Sequence, residues 1–156
     1  MGAPGEERTS TLEVRIPKAT TDGAKLRVKP PGADVSVVLL VRVEPHPVLE
    51  RVEGSELDLR VEVPLTVSEA VLGASVRVPT IDGSALLTVP AGTSSGRKLR
   101  LRGQGLESEE GKRGDLYAQF RVVSPEPGSV TDAEREALEA LGRRQGSPRV
   151  GPGWPT

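Results

Sequence analysis

Apolar and polar residues alternate over several short stretches of this chain. Leu12, Val14 and Ile16 alternate with Glu13 and Arg15, and Leu26 and Val28 with Lys25, Arg27 and Lys29. The same period of two runs through Leu57-Asp58-Leu59-Arg60-Val61-Glu62-Val63 and through Lys98-Leu99-Arg100-Leu101-Arg102. A period of two places one set of side chains on a buried face and the other in water, so each stretch predicts a strand. Val35 to Val43, VSVVLLVRV, is more apolar and predicts a strand covered on both faces. Ala85 to Val89 is a short apolar run stopped by Pro90, and Asp115 to Val123 reads as a final strand. Asp82-Gly83 between β-prone runs predicts a hairpin with a type I′ turn. Ser68 is placed to cap a turn of helix ended by Gly73. Thr131 to Leu141, TDAEREALEAL, predicts one longer helix, with capping-box spacing at Thr131 and Glu134 and Gly142 just past its end.

The layout occurs twice. Leu12 to Gly32, LEVRIPKATTDGAKLRVKPPG, matches Ala85 to Gly105, ALLTVPAGTSSGRKLRLRGQG, at a constant offset of 73 (Ile16 to Val89, Gly23 to Gly96, Leu26 to Leu99). A gapless offset argues for duplication of one β-unit, and two copies fall short of a solenoid. The expected architecture is all-β: two tandem, small β-sandwich-like subdomains, the first partial, followed by a short C-terminal helix. Disordered tails are expected at residues 1–10 and 146–156. The partial first unit spans 11–44, the second 45–126, and the helical segment 127–145. Pro45-His46-Pro47 is the stiff connector between the units, since each proline biases its predecessor away from helix.

Composition narrows the function. The 156 residues contain 18 Gly, 14 Pro and only 2% aromatics, so Val, Leu, Ile and Ala must build the core between many turns. Net charge is −1, which gives no general attraction to nucleic acid or to an anionic membrane. Cysteine is absent, which removes disulfides and thiolate metal sites. No stretch reads as a secretory signal or approaches the length of a membrane span, so a cytoplasmic setting is expected.

Catalytic chemistry finds no support. His46 is the single histidine and stands between prolines without a nucleophile motif nearby, and neither a triad nor a metal site is expected. Glu107, Glu109 and Glu110 read as solvated like charge in a polar loop rather than as a catalytic pair. No cofactor is expected. Arg97, Lys98, Arg100, Arg102, Lys112 and Arg113 could form a basic face for phosphate, but the aromatic platforms used for single strands are missing. The wet side of a two-sided strand is the favoured reading of these six.

Taken together, Pro45-His46-Pro47, Asp58-Leu59, Glu69-Ala70-Val71-Leu72-Gly73, Val78-Pro79-Thr80-Ile81-Asp82-Gly83, Pro90-Ala91-Gly92-Thr93 and Leu99-Arg100-Leu101-Arg102-Gly103 with Gly114-Asp115-Leu116 form a specific set. The chain resembles, from about Thr11 to about Gly142, the C-terminal substrate-binding region of the DnaJ (Hsp40) co-chaperones. The resemblance implies a non-enzymatic segment that binds unfolded polypeptide, by adding an extended client to a sheet edge with alternate side chains in apolar hollows. It implies Leu12, Val14, Leu39 and Val41 as the client-binding residues. It also implies homodimerisation through Leu138 and Leu141 of the C-terminal helix, and an Hsp70 of the DnaK type as a further partner. DNA binding, known among some relatives, is the alternative, as is a dimerisation module without client binding.

Four departures from the family pattern stand out. The Cys-rich zinc module is absent, and so is the His-Pro-Asp signature of a J-domain, so this chain alone is not expected to stimulate an Hsp70 ATPase. The first unit lacks its opening strands. Val35-Ser36 stands where the family has Gly-Asp. These features suggest a fragment or a degenerate paralogue.

Overall fold

A computed structural model describes residues 11–155. The tail expected at residues 1–10 lies outside them. The described elements are β1 (Lys25–Val28), β2 (Val37–Leu40), β3 (Leu49–Arg51), β4 (Leu59–Thr66), α1 (Val67–Leu72), β5 (Ala74–Thr80), β6 (Gly83–Val89), β7 (Lys98–Leu101), β8 (Leu116–Val123) and α2 (Asp132–Gln145). The protein is all-β with a terminal helix. β1 and β2 form an antiparallel ribbon, β5 and β6 a second one, and β3-β4-β8-β7 a four-stranded sheet.

The centre of that sheet is a parallel pair. β4 and β8 run side by side over eight residues, from Leu59 opposite Leu116 to Thr66 opposite Val123. Both alternate apolar and polar residues, so one face of the pair is apolar throughout. Leu59, Val61, Val63 and Leu65 meet Leu116, Ala118 and Phe120 there. Val78, Leu87 and Val89 of the β5–β6 hairpin and Ala70 of α1 belong to the same cluster, so the hairpin and α1 cover this face. Each Val, Leu or Phe side chain among them contributes about 1.5–3 kcal/mol when fully buried. The opposite face is wet and carries the ion pairs Arg60–Glu50 and Arg121–Glu62.

The duplication is repeated in hydrogen-bond register. β1 and β7 correspond at the offset of 73, and β2 and β8 at an offset of 79. Lys25 faces Leu40 as Lys98 faces Gln119, and Val28 faces Val37 as Leu101 faces Leu116. Gly23 N donates to Val41 O, as Gly96 N does to Phe120 O. Val41 N donates to Ala24 O, as Phe120 N does to Arg97 O. Even the side-chain ties recur: Asp22 accepts from Val43 N, and Ser95 from Val122 N. Thr20 and Thr93 each donate to the carbonyl of the proline three residues before. Ala19 holds φ +57°, where the second copy has Gly92 at +74°. It is the only non-glycine with positive φ among the described residues, a conformation that costs an L-residue roughly 1–2 kcal/mol.

What the first copy lacks is equally specific. Among the described residues nothing corresponds to β3, β4, α1 or β5. The missing strands explain two differences from the sequence reading. Residues 11–16 alternate as expected but form no strand; their counterpart is β6, which pairs with β5, and a strand without a ladder partner has no place for its backbone bonds. The run from Val35 to Val43 yields only the four residues of β2, and it is not covered on both faces. Val37, whose counterpart Leu116 is fully buried, is 39% exposed because among the described residues no second layer lies over it, and Val38 and Leu40, on the side matching the wet face of β8, are 54% and 58% exposed.

Smaller corrections concern turns and caps. Thr80 pairs with Gly83, so Ile81 and Asp82 form the corner, and neither has the positive φ of a type I′ turn. Thr66, not Ser68, caps α1, with Glu69 closing a full capping box. α2 continues through Gly142 to Gln145, and Gly146 caps it; Arg143 and Arg144 are good helix formers and their charge suits a C-terminal turn. The short β3 follows the Pro45-His46-Pro47 connector, where no element was expected. His46 starts it by accepting at Nδ1 from the amides of Val48 and Leu49, at 3.2 and 3.1 Å.

Candidate functional site

The first copy presents an apolar surface that the second copy buries. Leu39 and Val41 lie two apart on one side of β2 and its extension, both half-buried. Their counterparts are Ala118 and Phe120, 0% and 1% exposed. Leu12 and Val14 are also half-buried, on an extended segment without backbone ladder bonds. Their counterparts, Ala85 and Leu87, belong to or pack on the core cluster. All four candidate residues are thus first-copy versions of core positions. Ile16, counterpart of the buried Val89, is 56% exposed.

Among the described residues the outer edge of β2 pairs with no strand. Val41 turns both its N–H and its C=O toward the β1 side. Alternation in an antiparallel pair then directs the backbone groups of Val38, Leu40 and Arg42 away from β1. In the second copy the same edge of β8 is occupied by β4.

Polar ties anchor the segment that precedes the ribbon. Glu109 accepts from Lys18 N at 2.6 Å and from Arg15 at 3.2 Å, and Glu107 pairs with Lys18 Nζ at 3.0 Å. Arg51 donates to the carbonyls of Ala19 and Thr20, at 3.3 and 2.7 Å. Glu107 and Glu109 therefore serve as acceptors for the first unit rather than as free solvated charge. Sequence reasoning missed this because the partners are about ninety positions away.

A second apolar feature lies at the other end. Leu138 and Leu141 line an open cleft of about 830 Å³ with Val71 and Leu72 of α1 and Val123 of β8. No residue of α2 is buried, and Leu72 is 76% exposed.

The basic residues do not form one free patch. Arg100 is bound to Asp115, Arg113 to Asp82 at 2.5 Å, and Lys112 lies 3.9 Å from Glu110. Arg97, Lys98 and Arg102 are exposed and make no ion pair among the described residues. Those residues also hold no group of three or more side chains suited to a metal ion. No described helix is long and apolar enough to cross a membrane.

Asp115 is the electrostatic knot of the second unit. Its carboxylate accepts from Gly103 N at 2.9 Å and from Arg100 Nε at 2.6 Å. Its own amide donates to Asp58, and its carbonyl accepts from Leu59 N, so it fixes the start of the β4–β8 ladder. The Gly103 amide, and then Arg100, hold its carboxyl below the usual carboxylate range, and Asp115 raises the Arg100 guanidinium in return. Gly114 beside it is required by close approach: a Cβ there would stand 2.2 Å from Leu57 O. Among the described residues the first copy has no counterpart of Leu57, and Val35 stands at the matching position.

The model of the DnaJ C-terminal domain matches residues 4–125. The chain belongs to that family. It is 47% identical over 124 residues to a Curved DNA-binding protein of Pseudomonas putida, covering 75% of this chain and 38% of the relative. It is 40% identical over 145 residues to a Chaperone protein DnaJ of Natronomonas pharaonis, covering 88% and 37%. A Chaperone protein DnaJ of Deinococcus proteolyticus is 43% identical over 133 residues, covering 83% and 41%. The chain thus spans about two fifths of the length of these curated relatives.

The Asp115 knot predicts a specific acid response. A depressed folded-state pKa contributes stability above the ordinary carboxylate pKa, lost as pH falls through the lower folded value. Asp115→Asn should lower stability at neutral pH and flatten the acid limb of a urea-denaturation series against pH. An acid limb unchanged by the substitution would contradict the role given to Asp115.

Proposed function

We propose that this chain is a non-enzymatic chaperone segment that holds unfolded polypeptide on the first unit. The observation that carries the reading is that Leu12, Val14, Leu39 and Val41 are only half-buried, while their duplicates Ala85, Leu87, Ala118 and Phe120 lie in or against a closed core. An extended client adds main-chain hydrogen bonds along an open edge and seats alternate side chains in the apolar face. Such binding needs little sequence specificity. We divide the chain accordingly into a client-facing unit at 11–44, a supporting unit at 45–126 and a helical segment at 127–145. A cytoplasmic setting and an Hsp70 partner of the DnaK type fit this reading. The intact chain should suppress light scattering by a denatured model protein, and Val14→Asp or Leu39→Asp should raise the ratio of chain to client required by several-fold. Scattering unaffected by the intact chain would overturn the proposal.

A second reading rests on the relatives named Curved DNA-binding protein. Arg97, Lys98 and Arg102 would be its contacts, since the other three basic residues face carboxylates. It predicts retardation of duplex DNA that fades steeply between about 50 and 200 mM salt and is lost on charge reversal of those three. Retardation insensitive to the triple variant would exclude this surface.

We also propose self-association through the cleft lined by Leu138 and Leu141. Two copies of an amphipathic helix with no buried residue can cover each other's apolar stripe. Sedimentation over a dilution series should show a dimer that Leu138→Asp with Leu141→Asp converts to monomer. A monomer at all concentrations would contradict it.

A further inference from the structure

The two units are joined by polar contacts. No residue before Leu49 belongs to the buried apolar cluster or packs on it, and β1 and β2 pair only with each other among the described residues. Domains that share no large apolar interface move relative to one another unless something else holds them. Two parts of the second unit do so here.

The first is a finger between β7 and β8. Glu107 and Arg113 form an antiparallel bridge, Ser108 N donates to Lys112 O at 2.8 Å and Gly111 N to Ser108 O at 3.0 Å, so residues 107–113 close on themselves. The ion pair of Arg113 with Asp82 fastens the root of the finger to the β5–β6 corner. Gly114 and Asp115, at the start of the β4–β8 ladder, follow it directly. The outer side of the finger reaches the first unit, where Glu109 accepts from the Lys18 amide and from Arg15, and Glu107 pairs with Lys18 Nζ. The second part is Arg51, the last residue of β3, whose guanidinium donates to the carbonyls of Ala19 and Thr20. The two grips lie on either side of Ala19, the residue at φ +57°. An L-residue persists in that conformation only where its surroundings fix it. The matching turn of the second copy has Gly92, which needs no such support. The side chains of Arg15, Lys18, Glu107 and Glu109 are between 41% and 83% exposed, so each pairing is weak and screened by salt.

We propose that the 107–113 finger and Arg51 form a reversible lock between the two units, with Glu109 and Arg51 as its positioning residues. The ionic half of the lock opens as ionic strength rises, and the first unit then turns about the Pro45-His46-Pro47 connector. Its bearing on function rests on the client-holding reading: the closed lock fixes where Leu12, Val14, Leu39 and Val41 stand relative to the second unit, and the open lock lets them meet a client from other angles.

Pulsed spin-label distances across the units test this on the full chain. Labels at Lys29→Cys and Thr88→Cys, both exposed positions, are unambiguous because the chain has no native cysteine. The distance distribution should be narrow at about 0.05 M salt and at least twice as wide at about 1 M, where the Debye length has fallen to about 3 Å. Glu109→Ala, Lys18→Glu and Arg51→Ala should each widen it at low salt while leaving the urea midpoint of the second unit unchanged. Adding Glu107→Lys to Lys18→Glu should narrow it again at low salt and not at high salt, a rescue that loss of local structure would not show. A distribution that is wide at every salt concentration, one that ignores salt and Glu109→Ala, or a charge exchange that fails to rescue would each overturn the lock. Suppression of aggregation is scored separately: its loss with salt-dependent distances intact removes client holding and leaves the lock, and the converse result leaves client holding and removes the lock.

Discussion

The structure depends on the parallel pairing of β4 with β8. These strands are 57 positions apart at the paired residues Leu59 and Leu116, and they share one apolar face that holds most of the core. Everything in the second unit is arranged to secure that pair. Asp58 accepts from Asp115 N, and Leu59 N donates to Asp115 O, so the ladder starts from a fixed point. Gly105 and Gly114 leave room for the Leu57 backbone to cross beside them. The β5–β6 hairpin and Ala70 of α1 then close the apolar face from above. A parallel pair needs a long crossover connection, and the chain between β4 and β8 supplies it while also furnishing the cover and the edge strand β7.

The first unit shows what the same sequence pattern does without that pair. Its ribbon keeps the register, the glycine turn at Gly23 and the proline-threonine tie, all of which are local. Its burial collapses, because burial comes from layers that are not local. Ala118 and Phe120 are 0% and 1% exposed, whereas their counterparts Leu39 and Val41 are only half-buried, and Ile16, counterpart of the buried Val89, is 56% exposed. Apolar surface of this kind on a soluble domain is a liability unless something is meant to cover it. The proposed function rests on that contrast: among the described residues no layer closes this face and no strand pairs the outer edge of β2.

Much of this was legible in the residues. The alternation at 57–63 and 98–102, the gapless repeat and the motif run through Gly114-Asp115 placed the strands, the duplication and the family. Short-range chemistry was read less well where two residues competed. Thr66 outbid Ser68 for the α1 cap because it alone has Glu69 at the reciprocal spacing, and Gly142 was tolerated inside α2 because its neighbours favour helix. The parallel partner of β8 was not legible, since no turn links it to β4. The roles of Glu107 and Glu109 were hidden for the same reason, as their partners lie in the other copy. Of the candidate site, the four residues were named as a set from the resemblance, and only the structure shows that their duplicates lie in or against a closed core.

Hydrogen exchange at matched amides tests the central claim most directly. Tyr117, Gln119 and Arg121 face β4, and Val38, Leu40 and Arg42 are their first-copy counterparts, facing no strand among the described residues. The first three should exchange only through global opening of the second unit, and the last three at rates close to those of an unstructured chain. Comparable protection at both sets would mean that the edge of β2 is already paired, and the account of an open, uncovered first unit would fail.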